Sequence, residues 1–266
     1  MRADIIVAVA TALGGCSLKD GNQARPVTSV SWVAAGMGHC HALSSTPRGT
    51  VVAACDRGVV ETGVDGQTHT LHPTLSHDIS THAGMLWVKL PDTLLWGKLP
   101  QAGTVFASTK RQSLGTIDDM LTTPDGRLVV ATPGTLVRVS PDTGTISRFR
   151  KVPVPMEKLA LGAPASDGSS TLLAIARDAV YAVEKTRFRM EVGGLSDVQA
   201  AVTLPDGRLV VASGSPTTLG VLNGSEFAPT QTRIEGLTDL VVHNPGSGPE
   251  LWFTTNDGSI GRAPLP

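Results

Sequence analysis

Two near-copies of nine residues, TPDGRLVVA from Thr123 and LPDGRLVVA from Leu204, lie 81 residues apart. Strand-and-turn units recur about every 40 residues, and the chain holds 29 Gly and 18 Pro. These observations predict an all-β fold, and the unit length narrows it to a six-bladed β-propeller of four-stranded antiparallel blades. The stretch DMLTTPDGRLVVATPGTLVRVSPDTGTISRF from Asp119 displays one unit. Runs rich in Val, Leu and Thr are parted by Pro-Asp-Gly, Pro-Gly and Pro-Asp-Thr-Gly, the pattern of an antiparallel meander. Gly and Pro recur too often for an uninterrupted amphipathic helix.

Taken in chain order, residues 1–16 (MRADIIVAVATALGGC) resemble a bacterial lipoprotein signal. Arg2 precedes an apolar run from Ile5 to Leu13, and Leu13-Gly14-Gly15-Cys16 matches the L-x-G-C lipobox. The resemblance implies cleavage before Cys16, lipid on its thiol, and an exported protein held to the extracytoplasmic face by that anchor alone. Residues 17–26 read as a tether and residues 27–266 as the propeller. The strand PVTSVSWV, residues 26–33, belongs to no unit, and the last unit supplies only TDLVVH, ELWFTT and GSIGRA. The early strand is expected to complete that last blade beside Gly258–Pro264, because an open ring leaves sheet edges unpaired.

The second strands of the six units begin near Gly49, Gly84, Gly126, Ser170, Gly207 and Pro249. In the first unit, a two-residue loop at Pro47-Arg48 sets Cys40 opposite Cys55 across a hairpin. Export keeps cysteines oxidised, so a Cys40–Cys55 disulfide is predicted. The four tryptophans, Trp32, Trp87, Trp96 and Trp252, all fall in apolar strand patterns and read as core.

The units also resemble known propeller groups. LWFTTNDGSIGRA from Leu251 is similar to blades of streptogramin B lyases, and TPDGRLVVATPGTLVRVSPDTGTI to the gluconolactonase/regucalcin and NHL groups. ACDRGVVETGVDGQT is similar to the turn of sialidase-type repeats. The lyase resemblance implies a Glu and a His around that motif, but Thr255 stands where the acid belongs. The lactonase resemblance implies an Asp after the PDG strand, where Ser213 and Gly214 stand. The sialidase resemblance implies an arginine triad and a Tyr nucleophile, and the one tyrosine, Tyr181, sits in a core-like strand.

Chemistry is expected where inner strands converge on the channel. The residues before them are His39-Cys40-His41, His77-Asp78, Asp118-Asp119, Glu157, Asp197 and Asp239. Asp118, Asp119, Glu157, Asp197 and Asp239 read either as a ligand-binding ring at the mouth or as hydrogen-bonders tying blade to blade. His39 and His41 fall on one strand face and, with His77 and Asp78, form a candidate metal set for calcium, zinc or copper. Six of the seven histidines lie within residues 39–82.

Lys+Arg number 22 against 23 Asp+Glu, which excludes a basic nucleic-acid grip. There is no G-x-S-x-G, P-loop or H-E-x-x-H. The sequence therefore reads as an exported, lipid-anchored propeller that binds an envelope protein or a small ligand at its mouth without catalysis. The alternatives are a metal-dependent lactonase- or lyase-type enzyme and a metal-handling protein.

Overall fold

A computed structural model describes residues 30–101, 103–164, 170–184, 187–223 and 226–266. Residues 1–29, where the lipoprotein signal, Cys16 and the tether are expected, lie outside the described residues. Among the described residues, twenty-four strands form six four-stranded antiparallel sheets.

The first blade is β2 (Cys40–Ser45), β3 (Val51–Cys55), β4 (Gly58–Thr62) and β5 (Thr68–His72). The second is β6 (Asp78–His82), β7 (Met85–Lys89), β8 (Thr93–Lys98) and β9 (Lys110–Ser113). The third is β10 (Asp119–Thr122), β11 (Leu128–Thr132), β12 (Thr135–Val139) and β13 (Ile146–Lys151). The fourth is β14 (Lys158–Pro164), β15 (Ser170–Ala176), β16 (Ala179–Val183) and β17 (Phe188–Gly193). The fifth is β18 (Val198–Thr203), β19 (Leu209–Ser213), β20 (Thr218–Asn223) and β21 (Glu226–Arg233). The sixth is β22 (Leu237–His243), β23 (Glu250–Thr255) and β24 (Ile260–Pro264), completed by β1 (Ser31–Ala34) as its outer strand. Ser31 pairs with Arg262 and Trp32 with Gly261, the closure that the spare early strand predicts.

The inner strands β2, β6, β10, β14, β18 and β22 neighbour one another in a closed ring. Between each adjacent pair of blades lies one apolar cluster, six in all, so the core is a ring of interfaces. Each fully buried Val, Leu or Ile in these layers contributes about 1.5–3 kcal/mol. Trp87 and Trp96, stacked with centroids 5.0 Å apart, fill the layer between the second and third blades. Trp252 fills the layer between the sixth and first. Trp32 departs from the core expectation: it is 53% exposed, because β1 is an outer strand, and it leans edge-on against Phe253.

The Cys40–Cys55 disulfide forms, but by a different register from the predicted one. Ser45 pairs with Val51 and Ala42 with Ala54, so the hairpin loop runs over residues 46–50. Thr46 and Thr50 close it through backbone and hydroxyl bonds of 2.9 and 2.6 Å. That register is one residue off for the cysteines. An irregularity between Cys40 and Ala42, where His41 sits, restores the Cys40–Cys55 pair.

Candidate functional site

An inner strand exposes one row of unpaired backbone groups to the channel, and these need partners. Side chains of the preceding blade supply several. Asp239 Oδ2 accepts the Leu43 N–H at 2.6 Å, from the sixth blade to the first. Asp119 Oδ2 accepts the Leu159 N–H at 2.6 Å, from the third to the fourth. One step deeper, Ser44 Oγ accepts the Thr81 N–H at 3.0 Å and Ser80 Oγ accepts the Thr122 N–H at 2.9 Å. Asp119 and Asp239 thus each tie one blade to the next.

Asp78 holds the same place in its blade but bonds differently. The donor it would leave to the previous blade is Ile79 N–H, two residues before Thr81. The residue of the first blade that should cap it is Ala42, two before Ser44, and alanine has no acceptor. Asp78 turns back on its own strand instead, and its Oδ1 accepts the Ile79 N–H at 2.7 Å. Its Oδ2 is buried with no hydrogen-bond partner.

In the fourth blade a lysine replaces the aspartate. Lys158 Nζ lies 3.7 Å from Asp119 Oδ1 and donates to the His41 carbonyl at 3.5 Å. Burial and the neighbouring Asp119 charge push the Asp78 carboxyl well above the ordinary carboxylate range. Burial raises Asp119 to about 7, with Lys158 opposing and Asp239 reinforcing. Asp239 is raised too, chiefly by burial. Burial alone would lower Lys158, but Asp239, Asp119 and Asp78 together outweigh it and raise its pKa.

Above this charged floor opens a cavity of about 470 Å³. All six blades line it: His39 and His41, then His77, Asp78 and Lys89, then Asp118 and Asp119, then Glu157 and Lys158, then Gln199, then Thr238. Below the floor a second chamber of about 420 Å³ continues along the channel, and Asp78, Asp119 and Asp239 border it. The mouth lies where the inner strands begin. Ser31 pairs with Arg262, midway along β24, while Ala34 pairs with Ile260 at its start, so β1 runs toward the mouth from the opposite face.

The histidines form one wall. His39 and His41 stack with centroids 4.5 Å apart, and His77 is tilted 5.6 Å from His41. His41 Nε2 lies 3.2 Å from Asp56 Oδ1; burial lowers its pKa although Asp56 pulls it up. Among the described residues no group of three or more His, Cys, Asp or Glu is placed to hold a metal ion. His39, His41, His77 and Asp78 thus share a cavity without converging on one point. His69 and His72 lie on outer strand β5, away from this cavity, and His82 ends β6 beyond it.

Asp118 and Glu157 stand exposed at the rim, and burial raises Asp118. Asp197 does not line the cavity. It sits at a corner with φ 51°, pairs with Arg177 at 3.1 Å, and accepts from Gln199 Nε2 at 2.9 Å. Its part in the ring falls to Gln199. Thr255 is spent on its turn, donating to Asp257 Oδ1 at 2.6 Å.

Sequence reasoning passed over Lys158, Lys89 and Gln199. The signal for Lys158 was present: His77-Asp78-Ile79, Asp118-Asp119-Met120 and Glu157-Lys158-Leu159 are one triplet with lysine in the central place.

No protein-family model and no curated protein matches the chain. Solved structures do match in fold. A virginiamycin B lyase from Staphylococcus aureus is 11% identical over 90% of this chain and 99% of its own, with a TM-score of 0.61. A gluconolactonase from Xanthomonas campestris is 14% identical over 94% and 100%, with a TM-score of 0.64. A protein of unknown function from Bacteroides thetaiotaomicron is 12% identical over 89% and 76%, with a TM-score of 0.71. At these identities the likeness concerns the fold alone.

Proposed function

We propose that this chain is an exported, lipid-anchored propeller that binds a small polar ligand at its mouth without transforming it. The observation that carries the reading is the convergence of polar side chains from all six blades on one cavity of about 470 Å³ above a buried charged floor. That volume falls in the usual range for small-molecule sites. Anchoring rests on Leu13-Gly14-Gly15-Cys16, and the Cys40–Cys55 disulfide agrees with an oxidising compartment.

Two measurements test this reading. A polar metabolite panel, followed by the side-chain NMR signals of His39, His41 and His77, should yield a ligand that moves them in the full chain. That ligand should be recovered unchanged; a ligand site mapped elsewhere would defeat the reading. Detergent phase partition of the expressed protein should place it with the detergent, and Cys16→Ala should move it to the aqueous phase.

The second reading, a lactonase- or lyase-type enzyme, is favoured by the fold likeness to such enzymes. Fold alone does not carry activity. Turnover of a lactone panel with added magnesium or calcium, lost in Asp118→Asn or Glu157→Gln, would establish it.

A further inference from the structure

The mouth holds more acids than ammonium groups. Asp78, Asp118, Asp119 and Glu157 line it, and Asp239 adds a fifth carboxylate at the floor. Two ammonium groups answer them. Lys158 is engaged by Asp119, and Lys89 is turned to the carbonyls of Leu90 and Pro91 at 2.5 and 2.6 Å. One acceptor is wholly unspent. Asp78 is 5% exposed and lines the cavity, and its buried Oδ2 has no partner. Burial favours the protonated Asp78 carboxyl; a cation seated beside it would reverse that preference and give Oδ2 a donor. The partner should therefore bring a positive charge and N–H groups.

The acids are spread from the floor to the rim and do not gather round one point. Pro91, Ile117 and Val198 line the same cavity as apolar surface. Beyond Asp118 and Glu157 a proline-lined groove of about 810 Å³ leads outward past Pro153 and Pro155. Separated negative points with apolar surface in the same cavity match an extended organic cation whose charges are spaced by methylenes. A bare metal ion needs its donors together.

We infer that the mouth binds an organic cation bearing two or more ammonium groups, one seated on Asp78 and another at the Asp118–Glu157 rim. The inference rests on the mouth-binding reading above and names the ligand's chemical class. Asp78 is the specificity residue, because among the described residues lining the mouth it alone has a buried side-chain oxygen without a partner.

The test is calorimetric titration of the full untagged chain at low ionic strength with spermidine, magnesium, citrate and glucose in turn. The His39, His41 and His77 NMR signals are followed alongside. Spermidine should saturate one site and move those signals. Asp78→Asn keeps an acceptor for Ile79 N–H, so it should fold, and it should bind spermidine at least about tenfold more weakly. The rim double variant Asp118→Asn/Glu157→Gln touches no described fold contact and should weaken binding about three- to tenfold. Undiminished affinity in both variants overturns the assignment, as does magnesium binding tighter than spermidine and displacing it. If citrate or glucose moves the histidine signals and spermidine does not, the ligand class is wrong while the mouth-binding reading stands. If none of the four moves them, the amine inference falls and the search for a mouth ligand returns to the wider panel.

Discussion

Asp78, Asp119 and Asp239 hold one place in the blade repeat and do different work. Asp239 caps both the next blade and its own strand, with Oδ1 accepting Leu240 N–H at 2.9 Å. Asp119 caps the next blade and pairs with Lys158. Asp78 caps only its own strand, at Ile79 N–H. A local window of sequence displays the aspartates; it cannot display that Ala42, 36 residues before Asp78, leaves Ile79 N–H without a cap from the first blade. Lys158→Met removes the cation that Asp119 and Asp239 share. Urea denaturation should show a loss of about 3 kcal/mol, and Lys158→Met/Asp119→Asn should lose less than the lysine variant alone. The floor also predicts a pH signature. The Asp119 carboxyl is raised to about 7, chiefly by burial. An acid with a folded pKa above its unfolded value of about 4 holds its proton longer when folded, so its ionisation erodes stability as pH rises between those values. Asp119→Asn has no such proton to lose. The stability of the wild type relative to Asp119→Asn should therefore fall from about pH 4 to about pH 7 and level off above. A difference that stays flat across the range would mean Asp119 titrates as an ordinary surface acid.

At the scale of the element, the β2–β3 hairpin shows how a correct pairing was reached through an incorrect loop. Pro47-Arg48 suited a two-residue turn, yet the loop is longer because Thr46 and Thr50 bond each other. Arg48 and Thr50 also both reach Glu61 Oε1, each at 2.6 Å. Such hydroxyl and cross-strand contacts are set by β4, outside the window that turn chemistry reads. The irregularity at His41 then compensates, and it sets His41 beside His39 at the mouth. The two cysteine side chains beneath this wall are fully buried. Breaking the bond frees a 15-residue separation in the unfolded chain, so Cys40→Ser/Cys55→Ser should lower stability by about 3 kcal/mol. Chemical denaturation of the oxidised wild type against the double variant measures it. An unchanged midpoint would mean that packing alone holds the hairpin. The same variant should broaden the His39 and His41 NMR signals, since the bulge loses its tie to β3.

At the scale of the whole molecule, the blade count, the strand count and the closing strand were legible because each is written as a recurrence: a turn signal, an apolar run, and one run left over. The mouth was legible as a place, because polar residues stand at or near the start of every inner strand. What recurrence cannot reveal is exposure on the outermost strand, and Trp32 is the example. Closure itself is open to test. β1 contributes only Ser31–Ala34, yet it covers the β24 edge, while Met37 N–H reaches the Gly258 carbonyl at 3.4 Å across the seam between the sixth and first blades. Gly258 takes φ 80°, and a Cβ there would collide with Gly38, so the seam has no slack for adjustment. Removing residues up to Ala34 leaves the other five blades whole and exposes β24 as a free edge beside Trp252 and Phe253. An uncovered edge next to apolar side chains recruits a second chain. The truncated protein should melt roughly 5 °C lower than the wild type. In light scattering it should form concentration-dependent dimers or larger species, whereas Trp32→Ser, which keeps the backbone ladder, should remain monomeric. A truncated chain that stays monomeric and melts with the wild type would show that the ring holds without its closing strand.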